Sequence, residues 1–393
     1  MQKMKGFRKF IVMTFLGLIS VCLLIMAASA ISNLNLPEHS LVIEHLSEFD
    51  KIRLEETLHL RQAVGNDVWP GWGDADIPAI QYNEEYAFLV GYSKPPSGWV
   101  KVPSNQELGG PWEVVPDDVF SGQVYYRQLL PAPDVTPQAF TVLVGDRWVS
   151  SIGTYDWMKI SLTQTIRQDL PAFMRPIFPA QLFVDQLLGG SDKYISLSAH
   201  EAFHAYQGAS VPEKLTTAEI AGRQLEDQYP WDDESLKADW QEELDILAEA
   251  LRSTDQTMTV DLVRQFLLLR ITRRESASLS PELIAYENQR EWLEGLARYA
   301  ELEIWRRASD KTYTPMLDTS SLPDFNGYTG FDTRWSQEIS QLTMMADDKG
   351  DGRFYYTGMA QAFLLDRLMP SWKLQAFDEN VWLNDLLVAA IGE

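Results

Sequence analysis

Two histidines four residues apart, with a glutamate beside the first, form the part of this chain best suited to chemistry: His200-Glu201-Ala202-Phe203-His204. The surrounding segment, Ser198 to Gln207, reads as helical, entered from Gly189-Gly190-Ser191-Asp192 and ended by Gly208. On a helix, positions i and i+4 share a face, so both imidazoles can reach one metal ion. Glu201 lies one position round, where it can contact a water on that ion without being a ligand. Zinc brings the pKa of such a water to about 7, after which a carboxylate can take its proton and pass it to a leaving amine. A chance match on a core helix is the plain alternative, and with 5 histidines in the chain that coincidence is rare. The other three, His39, His45 and His59, read as surface residues ahead of the strand-rich part.

Two imidazoles do not complete a catalytic zinc site, which takes three protein ligands. No histidine follows His204, so the extended motif with a third histidine is excluded and a carboxylate is required. The segment opened by Ser280-Pro281 offers Glu287, Glu291, Glu294 and Glu301 along one helical stripe, and spacing alone does not choose among them. The remainder would be a solvated acidic face or support to the histidines. Gly295 costs about 1 kcal/mol within a helix and is better explained by the close approach of another helix or of the helix that carries the histidines.

The run Glu291-Trp292-Leu293-Glu294-Gly295-Leu296-Ala297-Arg298-Tyr299 resembles the gluzincin metallopeptidases. The likeness is to the aminopeptidase N and glycyl aminopeptidase families, whose third-ligand helix reads W-L-x-E-G-x-[AT]-x-Y; this chain is one residue shorter before the glutamate. The resemblance implies Glu294 as third ligand, Zn2+ as cofactor and a zincin-like catalytic region. The same families carry Y-x-K-G on a later helix, matched here by Tyr355-Tyr356-Thr357-Gly358 with threonine in place of lysine. That match implies Tyr355 as the phenol that stabilises the oxyanion, with Tyr356 next in line and an aromatic pair packed in the core as the bland alternative. The G-x-M-E-N segment that grips a free amine is absent, so N-terminal exopeptidase activity does not carry over. The interval from His204 to Glu294 is 90 residues, longer than in those families, and reads as a helical insertion at about 211–280 that could wall the cleft.

These residues need elements to hold them. An amphipathic helix over Ser47 to Val64 precedes a strand-rich stretch, with Ile80–Tyr92, Gln123–Leu130 and Ala139–Ile152 as strands and Gly145-Asp146 as a hairpin turn. From about Ile166 the pattern is helical, near 192–207, 232–253, 259–275, 281–308, 333–345, 355–369 and 378–391. Strands followed by helices, without alternation, predict an α+β fold. The expected organisation is 1–30 as signal peptide or anchor, 31–165 as helix plus strand-rich region, and 166–393 as the helical metallopeptidase-like region. Ala139–Val144 or Gln123–Leu130 could pair with an extended substrate by strand addition.

Composition bounds the rest. At 45% hydrophobic and 393 residues the chain buries a large core, and a net charge of −23 argues against nucleic acid as a partner. Lys3, Lys5, Arg8 and Lys9 precede a charge-free run from Phe10 to Ala30 ending in Ala28-Ser29-Ala30, which reads as a cleaved signal or an uncleaved single membrane anchor. Either places the remainder outside the cytoplasm. The single Cys22 lies in that run; Ile19-Ser20-Val21 before it only loosely resembles a lipid-attachment signature, and the exported part has no disulfide. The expectation is an exported zinc peptidase acting on peptides or proteins. A non-catalytic binding module of the same fold and a hydrolase of non-peptide bonds are the alternatives.

Overall fold

The structure is a computed structural model describing residues 2–130, 142–310 and 312–392, apart from the side chains of 2–12, 19, 22 and 23. Helix α1 (Gln2–Ser32) covers the charge-free run and leaves Met13, Phe15, Leu16 and Leu24 exposed. Among the described residues no helix is long and apolar enough to cross a membrane. Six side chains of Phe10–Ala30, that of Cys22 with its lipid-attachment reading among them, lie outside the description. Helix α2 (Glu48–Val68) starts where the Ser47 hydroxyl accepts from the Asp50 amide, with Glu48 and Asp50 adding negative charge to the first turn.

The run Ile80–Tyr92 forms two strands, β1 (Ala79–Tyr82) and β2 (Tyr86–Val90), because the Asn83 side chain accepts from the Glu85 and Tyr86 amides and turns the chain. Then come β3 (Trp99–Lys101), β4 (Glu107–Leu108), β5 (Glu113–Val114) and β6 (Tyr126–Leu129). Strands β7 (Val142–Val144) and β8 (Arg147–Gly153) make the expected hairpin, with Gly145 at φ +63° in its two-residue loop. Ala139–Thr141 lie outside the described residues. The 8-stranded sheet runs β4-β3-β7-β8-β1-β2-β6-β5, with β1 and β8 parallel and every other pair antiparallel. Side chains alternate between faces: Ile80, Ala87 and Leu89 cluster with Val142, Val144 and Val149, while Ala79, Phe88 and Val90 pack with Leu46 and Leu54. Strand β7 is flanked by β3 and β8, and β6 by β2 and β5. Both strands considered for substrate pairing are therefore interior to the sheet.

Helix begins at Tyr155, earlier than the expected Ile166. Tyr155, Trp157, Ile160 and Thr163 give strand-like composition, but the Thr154 hydroxyl caps the Trp157 amide and starts α3 (Tyr155–Asp169). There follow α4 (Ala180–Leu188), α5 (Ser191–Ser210), α6 (Pro212–Leu225), α7 (Glu234–Arg252), α8 (Gln256–Ser276) and α9 (Pro281–Arg290). A π turn (Glu291–Gly295) leads into α10 (Leu296–Ala308), then α11 (Phe331–Leu342), α12 (Gly352–Leu368), α13 (Trp372–Gln375) and α14 (Leu383–Ile391). The fold is α+β.

One apolar core joins Leu60 of α2, Phe203 of α5, Trp240 of α7, Phe266 of α8, Trp292, Ala300 of α10 and Leu364 of α12. Each large side chain buried there contributes roughly 1.5–3 kcal/mol. Trp69 and Trp72 stack edge-on to Phe203, so the core crosses from the end of α2 into the histidine helix. Helix α5 does not stop at Gly208. A Cβ there would overlap the Trp148 indole of β8, so the glycine lets the sheet close against the helix, and the turn ends before Pro212.

Candidate metal centre

Helix α5 carries His200 and His204 on one face with their Nε2 atoms 3.1 Å apart. Glu294 Oε2, from the π turn, lies 3.8 Å from His200 Nε2 and 3.3 Å from His204 Nε2. One ligand atom from each of the three falls within 4.8 Å of the others, a group able to hold a metal ion. His200, Glu201, His204 and Glu294 are 3%, 5%, 4% and 7% exposed, so the low dielectric strengthens every interaction among them.

The groups behind the histidines decide what their Nε2 atoms offer. Gln207 Nε2 donates to the Trp292 carbonyl at 3.0 Å, which orients its Oε1 to accept from His204 Nδ1, also at 3.0 Å. His204 Nε2 is then left with a lone pair. Glu301 Oε2 stands 3.4 Å from His200 Nδ1 and favours the same tautomer. Two lone pairs facing each other across 3.1 Å repel unless a cation or a proton lies between them. Glu294 Oε2 and Glu201 Oε2 are buried with no hydrogen-bond partner. Orphaned donors of the N, N, O type fit a zinc ion.

Electrostatics agrees with that fit. Burial alone would lower the His200 pKa, but Glu294, Glu301 and Glu201 outweigh it and raise it to about 9: the site draws in positive charge. Burial raises Glu201 to about 7, with the histidines pulling down and Glu294 and Glu301 pushing up. Glu294 would likewise rise through burial, yet His204 and Arg290 hold it well below the usual carboxylate range.

The four glutamates of the stripe go to different partners. Glu287 pairs with Arg273 and Arg274, and Glu291 pairs with Arg270, all from α8. Glu294 turns to the histidines, and Glu301 stands behind His200, itself held by Arg298 and Arg334. The π turn resets the phase between Glu291 and Glu294, and such turns are frequent at functional sites. Gly295 admits a helix as its cost implied: a Cβ there would overlap Gly358 of α12, and one on Gly358 would overlap the Glu291 carbonyl.

That contact brings α12 to the centre. The Tyr355 ring stacks on His200 at 5.7 Å between centroids and 11° between planes. Burial and the Glu294 carboxylate push its phenol well above the usual value, so at neutral pH it is a proton-bearing donor. Tyr356 faces Arg298, whose guanidinium lies 5.7 Å from its ring, and packs against the core.

Gln207, Arg290 and Asp351 were not singled out from the sequence. Gln207 carries a helical signal, three residues past His204; the Arg290–Asp351 pair spans 61 residues with no spacing to reveal it. His39 and His45 are exposed, whereas His59 is half-buried against Tyr313. Cavities of ≈ 260 Å³ beside Leu36, His39 and Lys159, and of ≈ 360 Å³ beside Pro78 and Phe120, are lined by neither His200 nor His204. Concavity and chemistry thus point to different places, and the donor set decides. A scan of family models, a search of curated proteins and a search of solved structures each return no match.

Proposed function

We propose that this chain is a zinc-dependent peptidase. The observation that carries the reading is the convergence of His200 Nε2, His204 Nε2 and Glu294 Oε2, with the buried, unpartnered Glu201 carboxylate on the same helix turn. When bound, zinc supplies Lewis acidity at a carbonyl and lowers the pKa of a water to about 7. Glu201, raised to about 7, is matched to accept a proton at neutral pH and return it to a departing amine. Tyr355 keeps its proton and can donate a hydrogen bond to an oxyanion. The basic N-terminus and the charge-free run support an extracytoplasmic location, with a cleaved signal or a single anchor.

Metal analysis beside a peptide-library digest tests this. Wild type is expected to hold one zinc ion per chain, at the His200, His204 and Glu294 group, and to cleave peptides. Glu201→Gln should keep the metal and lose cleavage by at least about 100-fold, the usual share of general acid–base catalysis. Glu294→Gln should lose the metal. Equal turnover by Glu201→Gln would end the proposal, and zinc binding without hydrolysis of any peptide would leave a binding module instead.

A further inference from the structure

The guanidinium of Arg290 sits where α9, the π turn, α6 and α12 meet, and it is almost fully buried. Its Nη2 donates to Glu294 Oε1 at 2.8 Å. Its Nε donates to Asp351 Oδ1 at 2.9 Å, and Nη2 also reaches Asp351 Oδ2. On α6, Gly222 leaves room for it: a Cβ there would lie 3.1 Å from Nη1. An arginine fork in a glycine-lined slot, between two carboxylates from different elements, is a built arrangement.

The two oxygens of Glu294 therefore have separate tasks. Oε1 is taken by Arg290, and Oε2 is left facing the histidines without a partner. Asp351, the other end of the fork, immediately precedes α12, and its carbonyl accepts the Tyr355 amide at 2.9 Å. One guanidinium thus ties the proposed metal ligand to the turn that carries the phenol. Resting on the metal-centre reading, we propose that Arg290 is a positioning residue that makes Glu294 a one-oxygen ligand and, through Asp351, fixes Tyr355 relative to it.

Two physical effects follow. A hydrogen bond to Oε1 stops the carboxylate from rotating to offer both oxygens, which keeps the coordination number low and a position open. It also holds Oε2 in place toward the histidines, so that without it the ligand must be ordered at the cost of its own rotamer freedom when an ion binds.

The test uses the full chain with Arg290→Lys, Arg290→Met and Asp351→Asn. Zinc affinity is read by competition with a chromophoric chelator, coordination by the visible spectrum of the cobalt-substituted protein, and folding by Tm. Arg290→Met should weaken zinc binding about 10–100-fold, the range for lost outer partners of metal ligands. Its cobalt spectrum should lose intensity as the carboxylate turns to bind through both oxygens. Arg290→Lys keeps the charge without the fork and should show the same spectral change with a smaller loss of affinity, which decides the matter if Arg290→Met does not fold. Asp351→Asn should move the cobalt spectrum in the same direction. Folded variants with wild-type affinity and spectrum, or a lowered Tm with an unmoved spectrum, would overturn the assignment. If wild type takes up neither zinc nor cobalt, the metal-centre reading itself falls and this inference goes with it.

Discussion

His204 owes its tautomer to Gln207, whose amide is pinned by the Trp292 carbonyl on one side and faces Nδ1 on the other. Gln207→Leu removes that acceptor while nearly preserving volume. Zinc affinity measured by chelator competition is expected to fall about 10–100-fold, with stability down by about 1–3 kcal/mol from the carbonyl left unpaired. Unchanged affinity would show that Gln207 does not set the geometry of His204. At this level much of the site was legible. His200, Glu201 and His204 were read from one helical spacing, and Glu294 came by resemblance. Glu301 was among four open candidates, and what settled its place was the burial of its neighbours by arginines of α8. Gln207 was hidden because a polar residue at that spacing reads equally well as an exposed one.

Between elements, the decisive contact is Gly295 against Gly358, where the π turn and α12 touch backbone to backbone. Gly358→Ala would gain up to about 1 kcal/mol in helix propensity. It would also drive a methyl group into the Glu291 carbonyl, an overpacking of the kind that costs about 1–3 kcal/mol. The net expectation is a lower denaturation midpoint together with weaker zinc binding, because any shift that relieves the overlap also moves Glu294 or Tyr355. A midpoint at or above wild type with unchanged zinc affinity would mean that this contact does not set the site. The cost of a glycine within a helix predicted that some helix would approach Gly295, but periodicity could not show the π turn, since a 3.6-residue reading has no place for an added residue. The same limit applied to α3, where aromatic and β-branched side chains masked a helix that its Thr154 cap declares.

Across the molecule, the α7–α8 pair is bound to the segment that carries Glu294 by buried charge: Arg270 and Arg273 reach Glu243 within the pair and Glu291 and Glu287 outside it. Its helices were legible from Trp240, Leu244, Phe266 and Leu267, but the ion pairs were not, because charges in a helical pattern read as solvated surface. This network makes the fold acid-sensitive in a definite direction. Burial by itself would raise the Glu287 carboxyl, but Arg273 and Arg274 outweigh it and hold it well below the usual carboxylate range. A group whose folded pKa is depressed contributes its stability above the unfolded value, about 4.3 for glutamate, and loses it as pH falls further. The net charge of −23 acts the other way, since acid relieves self-repulsion between the acidic surface groups. Wild type alone would mix the two effects, so the difference between wild type and Glu287→Gln isolates the network. At neutral pH the variant, with Arg273 and Tyr229 deprived of a charged partner, should be less stable by about 3–5 kcal/mol. The gap should hold from neutrality down to about pH 5 and narrow steadily below it, as Glu287 of the unfolded wild type takes up a proton that the folded, arginine-paired carboxyl does not. Urea denaturation across a pH series measures this directly. A gap that stayed constant down to pH 2 would show that Glu287 contributes through shape and hydrogen bonding and that its charge contributes nothing.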